Sequence, residues 1–339
     1  MINEGSLARE LENVFRDRYA AHAAVACSSG SQALMLALEA VGVSPGDQVM
    51  VPTYVCAEVL ATIEAIGATA LIVDVEDDYL MSVSAARVAQ TVQCKAIVFP
   101  YVMGIWRDVT PFREFGLPII EDCAQFIPDE TMNFGGVRGD LAIFSFEATK
   151  LITSGEGGMV VARDKKLANR LEAVKRYGET NYKLNLYPLA DLLAALALSQ
   201  FSSLRQFLHR RRELANKYFE KLAGVSGISL PQGLRNRSIF FRFPVRLADH
   251  LAGKLEQLIA ELLAQDIIVR RPIDLPLHRI RRTTSEYAKA DHLYATTISL
   301  PIYPSLTNTD QILVIEAVRE SMCRINNENP RATNDEPRA

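Results

Sequence analysis

Phe144-Ser145-Phe146-Glu147-Ala148-Thr149-Lys150-Leu151-Ile152-Thr153-Ser154-Gly155-Glu156-Gly157-Gly158 is the stretch that decides how the chain is read. The apolar run Leu141 to Phe146 reads as a strand that carries Ser145 to its end. Lys150 follows five residues after Ser145, then comes a glycine-rich turn, and a second apolar run from Met159 to Ala162 reads as another strand. Lysine is rarely buried without a partner. Placed between two buried strands, it either snorkels to the surface on its apolar stem or is a desolvated amine, which burial would make more nucleophilic. What lies elsewhere in the chain bears on that choice.

Outward from this stretch, short β-rich runs alternate with helical ones. Gln48 to Val51, Thr69 to Val73, Lys95 to Pro100 and Leu117 to Glu121 read as strands. Glu58 to Ile66 and Ser84 to Val92 read as helices between them. This alternation predicts an α/β fold with a large, mainly parallel mixed sheet covered on both faces. Ligands of such sheets sit at the carboxyl ends of the strands, where Ser31, Asp122, Ser145 and Lys150 fall. Ala23 to Cys27 runs into Ser28-Ser29-Gly30-Ser31-Gln32 and then a helix from Ala33 to Val41. A small-residue turn at a helix start is either a serine N-cap alone or an anion site built from free amides at the positive helix end. Asp122, closing Pro118-Ile119-Ile120-Glu121-Asp122, is either a helix cap or the partner of a protonated ring nitrogen, and Gln125 follows three residues later.

The N-terminus reads as a helix over 7–20. Leu167 to Arg176 is amphipathic, Leu189 to about Leu222 is a long helical region, and Arg210-Arg211-Arg212 reads as a solvated face. Beyond it, a strand (Ile239 to Val245) and helices (Ala248 to Ala264, Thr309 to Cys323) predict a smaller C-terminal α/β domain. The expected division is 1–220 for the large domain and 221–325 for the small one, with 326–339 a polar, disordered tail. The 339 residues are enough for two such domains. With 23% charged residues, 49% apolar residues and a net charge of −3, the composition is that of an ordinary globular chain and provides no electrostatic footprint for nucleic acid. No apolar run is long enough to span a membrane, and Met1 to Glu10 lack the regions of a signal peptide. The five cysteines are dispersed with no C-x-x-C pair. They fit a reducing, cytoplasmic setting and leave neither a disulfide framework nor a zinc site to expect.

These motifs, in this order, resemble the DegT/StrS family of pyridoxal-phosphate (PLP) enzymes, chiefly sugar aminotransferases of fold type I. Ser29-Gly30-Ser31-Gln32-Ala33-Leu34 is similar to the family's S-G-T-x-A-L. Pro45-Gly46-Asp47-Gln48-Val49 is similar to P-G-D-E-V, and Ile120-Glu121-Asp122-Cys123-Ala124-Gln125 to I-E-D-x-A-Q. Phe144-Ser145-Phe146 with Lys150, Gly155 to Gly158, and Ser299-Leu300-Pro301-Ile302-Tyr303-Pro304 match F-S-F-x-x-x-K, G-E-G-G and L-S-L-P. The resemblance implies that Lys150 forms the internal aldimine with PLP and shuttles the proton in transamination. It implies that Asp122 keeps the pyridinium nitrogen protonated, that Gln125 contacts the phenolic oxygen, and that Gly30, Ser31 and Ser145 hold the phosphate.

The chain also departs from the family pattern. Where the family places an aromatic ring over the cofactor, Pro52-Thr53-Tyr54-Val55-Cys56 puts Cys56, so the resemblance leaves either Cys56 or Tyr54 to meet the ring. The family's V-H-x-x-G is Pro100-Tyr101-Val102-Met103-Gly104 here, without the histidine. The N-Y-R-M motif is poorly kept: Asn185 lies about one residue out of place, and the stretch ending in Pro188-Leu189 has no arginine. In the family that asparagine reaches the partner subunit's cofactor phosphate, which extends to Asn185 the expectation of a homodimer with shared sites. The expected activity is transfer of an amino group, from glutamate or glutamine, to a keto sugar, keto cyclitol or related biosynthetic intermediate. The alternatives are other PLP chemistry, such as elimination, and a non-catalytic regulatory homologue. The family's sugar 3-dehydratases carry histidine where this chain has Lys150, which counts against elimination.

Overall fold

A computed structural model describes residues 5–127, 137–180, 188–284 and 286–327. In chain order the first half comprises α1 (Ser6–Arg18), β1 (Ala23–Cys27), α2 (Gly30–Ala40), β2 (Gln48–Pro52), α3 (Ala57–Ala65), β3 (Thr69–Val73), α4 (Val83–Ala89), β4 (Cys94–Pro100), β5 (Ile119–Asp122), β6 (Leu141–Ser145) and β7 (Gly158–Ala162). These strands form one seven-stranded sheet in the order β1-β7-β6-β5-β4-β2-β3. Only β7 runs against the rest, pairing antiparallel with both β1 and β6. The expected mainly parallel sheet is therefore present, with its one reversal at the glycine-rich turn that follows Lys150.

The strands are apolar on both faces because both are covered. Val49 and Val51 of β2, Ala96 and Val98 of β4, Leu141 and Ile143 of β6, and Val160 and Ala162 of β7 enter one core. Met50, Ile97, Phe99, Ala142, Phe144, Met159 and Val161 enter the other. The two-residue period of a strand sends alternate side chains to opposite faces, so a sheet buried on both needs near-continuous apolar runs.

The second half comprises α5 (Lys165–Thr180), α6 (Asp191–Ser202), α7 (Leu204–Lys221), β8 (Ile228–Ser229), β9 (Phe243–Leu247), α8 (Leu255–Leu263), α9 (Leu277–Arg281), α10 (Ala288–Thr296), β10 (Thr297–Leu300) and α11 (Asn308–Asn327). The last three strands form an antiparallel sheet, β10-β9-β8. A separate core gathers around it, running from Leu214 through Phe243 and Leu258 to Ile325.

The structure differs from the sequence reading at several places. The long helical region is two helices, α6 and α7, which meet at Ser203. The strand expected from Ile239 begins only at Phe243. Phe240 is held at a φ of 53°, and the carbonyls of Phe240 and Phe241 turn to accept from Arg211 Nη1 at 3.0 and 3.1 Å. Arg211 is thus buried, where a solvated face had been expected, and a third bond from the same nitrogen reaches the Ile302 carbonyl at 2.9 Å. Strand β10 and helices α9 and α10 were not anticipated. The tail expected to be disordered lies, from 328 onward, outside the described residues.

Candidate active site

Helix α2 begins immediately after β1. Ser29 caps it, its hydroxyl accepting from the Gln32 amide at 3.1 Å, while its carbonyl accepts from the Ala33 amide at 3.0 Å. The amides of Gly30 and Ser31 open the first turn, where no intrahelical acceptor exists. Two close approaches fix the location of this turn. A Cβ on Gly30 would lie 2.8 Å from the Ser145 Cβ and 3.0 Å from its Oγ, and a Cβ on Gly158 would lie 2.2 Å from the Ser29 carbonyl oxygen. Glycine at both positions lets the end of β6 and the start of β7 meet the helix N-terminus. Two first-turn amides and a serine hydroxyl consequently face one small space, a suitable cradle for a phosphate.

Asp122 closes β5 on the neighbouring strand and is 6% exposed. Its carboxylate accepts from the Ala124 amide at 2.9 Å. Burial raises its pKa, and the Ala124 amide and the charge of Lys150 act the other way. A buried acid whose ionised form is disfavoured gains from a cation placed against it. The side-chain oxygen of Gln125 accepts from the Met103 amide at 2.7 Å, which fixes the other end of the side-chain amide as its NH2 donor. Lys150 follows β6 on a tight loop, its amide donating to the Glu147 carbonyl at 3.0 Å. The loop returns through Phe146, whose amide donates to the Gly157 carbonyl at 2.8 Å. The Lys150 side chain is half-buried, with Nζ 5.9 Å from the centre of the Phe241 ring.

The structure brings Gly30, Ser31, Cys56, Asp122, Gln125, Ser145 and Lys150 to the walls of one cleft of about 500 Å3. Cys56 caps α3, and its thiol is pushed up to about 12 by burial and by the nearby Asp122. It is therefore present as a neutral thiol. Tyr54, the alternative to Cys56, is not among the cleft-lining residues. It is fully buried, with its ring 5.5 Å from that of Tyr79. The strand alternation that sends Met50 to the same core continues past the end of β2 and takes Tyr54 with it. Asn185 lies outside the described residues. Sequence reasoning missed Arg242 and the Pro272-Ile273-Asp274 segment, which form the wall contributed by the C-terminal half. Arg242 did leave a signal, as a lone cation within the apolar run Ile239 to Val245. The donor set fits PLP: an amine, a buried acid, an amide donor and a helix-end phosphate cradle.

The model of the DegT/DnrJ/EryC1/StrS aminotransferase family matches residues 1–319. The chain is 31% identical to GDP-perosamine synthase of Escherichia coli O157:H7, over 94% of this chain and 91% of that protein. It is 32% identical to dTDP-3-amino-3,4,6-trideoxy-alpha-D-glucose transaminase of Micromonospora megalomicea subsp. nigra, over 93% and 90% of the two chains. Among solved structures, DesV of S. venezuelae, in complex with a ketimine intermediate, superimposes with a TM-score of 0.82 at 29% identity, covering 94% of this chain and 90% of that one.

Proposed function

The chain belongs to the DegT/DnrJ/EryC1/StrS aminotransferase family, and on that premise we propose that it transfers an amino group from glutamate or glutamine to the carbonyl carbon of a keto sugar, with Lys150 and Asp122 as its catalytic residues. The observation that carries this reading is the convergence of Lys150, Asp122 and the N-terminus of α2 on one cleft. The two relatives named above are a GDP-perosamine synthase and a transaminase of a dTDP-linked amino sugar, which supports a sugar as the acceptor class.

The enzyme is PLP-dependent. When bound, PLP supplies a carbonyl that exchanges with amines and a ring that takes up the electron pair released as a carbon loses its proton. The Gly30 and Ser31 amides and the Ser145 hydroxyl bind its phosphate. Asp122, buried at the end of β5, would stabilise a proton on the ring nitrogen, and that cation would in turn offset the cost of burying an ionised carboxylate. Gln125, oriented by the Met103 amide, donates to the phenolic oxygen. The Lys150 Nζ would hold the cofactor covalently, and as a free amine it would move the proton at the carbon bearing the amine. Cys56 contributes a neutral, half-buried wall that keeps water from one side of the cleft.

The same reading places the large domain at 1–220 and the small one at 221–325, with the cleft between them. It also makes the protein a homodimer in which Asn185 reaches the partner's phosphate site. All five cysteines are free and no helix among the described residues is long and apolar enough to cross a membrane, which supports a cytoplasmic setting. Incubation of the PLP-loaded protein with L-glutamate, without a keto acceptor, is the test. Conversion of the cofactor absorbance to the amine form is expected, with release of 2-oxoglutarate in equal amount, and no conversion with either glutamate or glutamine would overturn the reading. Sedimentation at micromolar concentration tests the dimer, which a monomer would exclude.

A further inference from the structure

Two cavities meet at Arg242. On one side it lines the cleft that holds Lys150. On the other it lines a pocket of about 200 Å3 walled by Phe241, Arg270, Ser299 and Tyr303, among others. Its guanidinium makes no hydrogen bond and no ion pair within the described residues, and its Nε is buried without a partner. Burial lowers the pKa of this group. The charge of Asp274 opposes that effect and the charge of Arg270 adds to it. Two guanidinium groups thus act on each other across a cavity, with no carboxylate bound to either among the described residues. Such an arrangement is costly unless an anion enters, and guanidinium forks match the planar oxygen pairs of carboxylates and phosphates.

The backbone on which Arg242 sits is held in place. Arg211 takes the Phe240 and Phe241 carbonyls, and Phe240 occupies the left-handed region at a φ of 53°. The Phe241 ring then sets the spacing. Its centre lies 5.9 Å from Lys150 Nζ and 5.8 Å from the Arg242 guanidinium carbon. The reacting amine and the free cation are therefore separated by no more than those two contacts end to end, a reach that a small anionic substrate can span.

We propose that Arg242, with Arg270 beside it, is the oxyanion site of this cleft, receiving a carboxylate or phosphate of the substrate whose reacting carbon lies at Lys150. This rests on the aminotransferase reading and adds to it the residues that select an anionic substrate. The test is calorimetric titration of the PLP-saturated protein, so that the phosphate cradle of α2 is filled, with glutarate and separately with inorganic pyrophosphate at low ionic strength. At least one probe binds the wild type, and Arg242→Gln weakens that probe roughly tenfold or more. Arg242→Lys, which keeps the charge and loses the fork, falls between the two, and it decides the matter if the Gln variant does not fold. Arg270→Gln has a smaller effect, about two- to fivefold, as suits an exposed charge. Weakening of glutarate alone assigns a carboxylate, and weakening of pyrophosphate alone assigns a phosphate. Binding of neither probe to the wild type, or equal binding by wild type and both Arg242 variants, overturns the proposal. Conversion of the wild-type cofactor by L-glutamate is read separately. Its absence would remove the aminotransferase reading, whereas failure of the arginine proposal alone leaves it intact.

Discussion

Glu121, the residue before Asp122, offers a quantitative test of how β5 is held. It is fully buried, accepts from the Arg138 amide at 2.9 Å and the Gly139 amide at 2.8 Å, and receives a hydrogen bond from the Tyr101 hydroxyl. Burial raises its pKa from 4.5 to about 7, against the pull of these donors. The native chain therefore keeps a proton on Glu121 between about pH 4.5 and 7, where the unfolded chain has released it. The native state binds more protons in that window, so the contribution is fully present below the lower pH and is lost as pH rises through the upper one. At about 1.4 kcal/mol per pH unit, the loss is about 3 kcal/mol. Glu121→Gln keeps the shape and an acceptor for the amides but does not titrate. Urea unfolding of the two proteins, at equal concentration from pH 4.5 to 8, should show the variant gaining on the wild type by about 3 kcal/mol across the window, with unchanged m-values. Other acids cancel in the difference. A stability difference that stays flat with pH would refute the reasoning, since it would mean that the two amides and Tyr101 hold Glu121 at an ordinary pKa despite its burial.

Lys150→Ala should abolish turnover while PLP is still retained through its phosphate, and borohydride reduction of the wild type followed by peptide mapping should place the label on Lys150; a label on another lysine would sink the assignment. Asp122→Ala should slow the glutamate half-reaction roughly a hundredfold, about 3 kcal/mol of barrier, and near-normal rates would remove Asp122 from catalysis. Gly30→Ala puts a Cβ 2.8 Å from the Ser145 Cβ, so PLP affinity should fall about tenfold or more. Gly233→Ala, where nothing lies within 4 Å of the new atom, should leave it unchanged, and equal affinities in the two variants would contradict the cradle.

Some of this was legible along the chain because the information is local. A buried strand announces itself by an apolar run, and β1 (Ala23–Cys27) and β3 (Thr69–Val73) fall on the residues the sequence marks. The turn at Ser29-Gly30-Ser31, the acid at the end of β5 and the lysine after β6 sit at strand ends, and a parallel sheet collects its strand ends on one edge. Order and spacing therefore sufficed to bring Ser31, Asp122, Ser145 and Lys150 to one cleft.

What only the tertiary structure decided involves contacts between distant segments. Arg211 reads as one of three solvated arginines until the Phe240, Phe241 and Ile302 carbonyls are seen around it. No local pattern encodes a cation that binds carbonyls roughly 30 and 90 residues away. The displaced start of β9 and the place of Arg242 in the wall of the Lys150 cleft have the same origin. Each depends on how the C-terminal half packs against the sheet, because a side chain's neighbours across a cleft are set by packing and not by its own stretch of sequence.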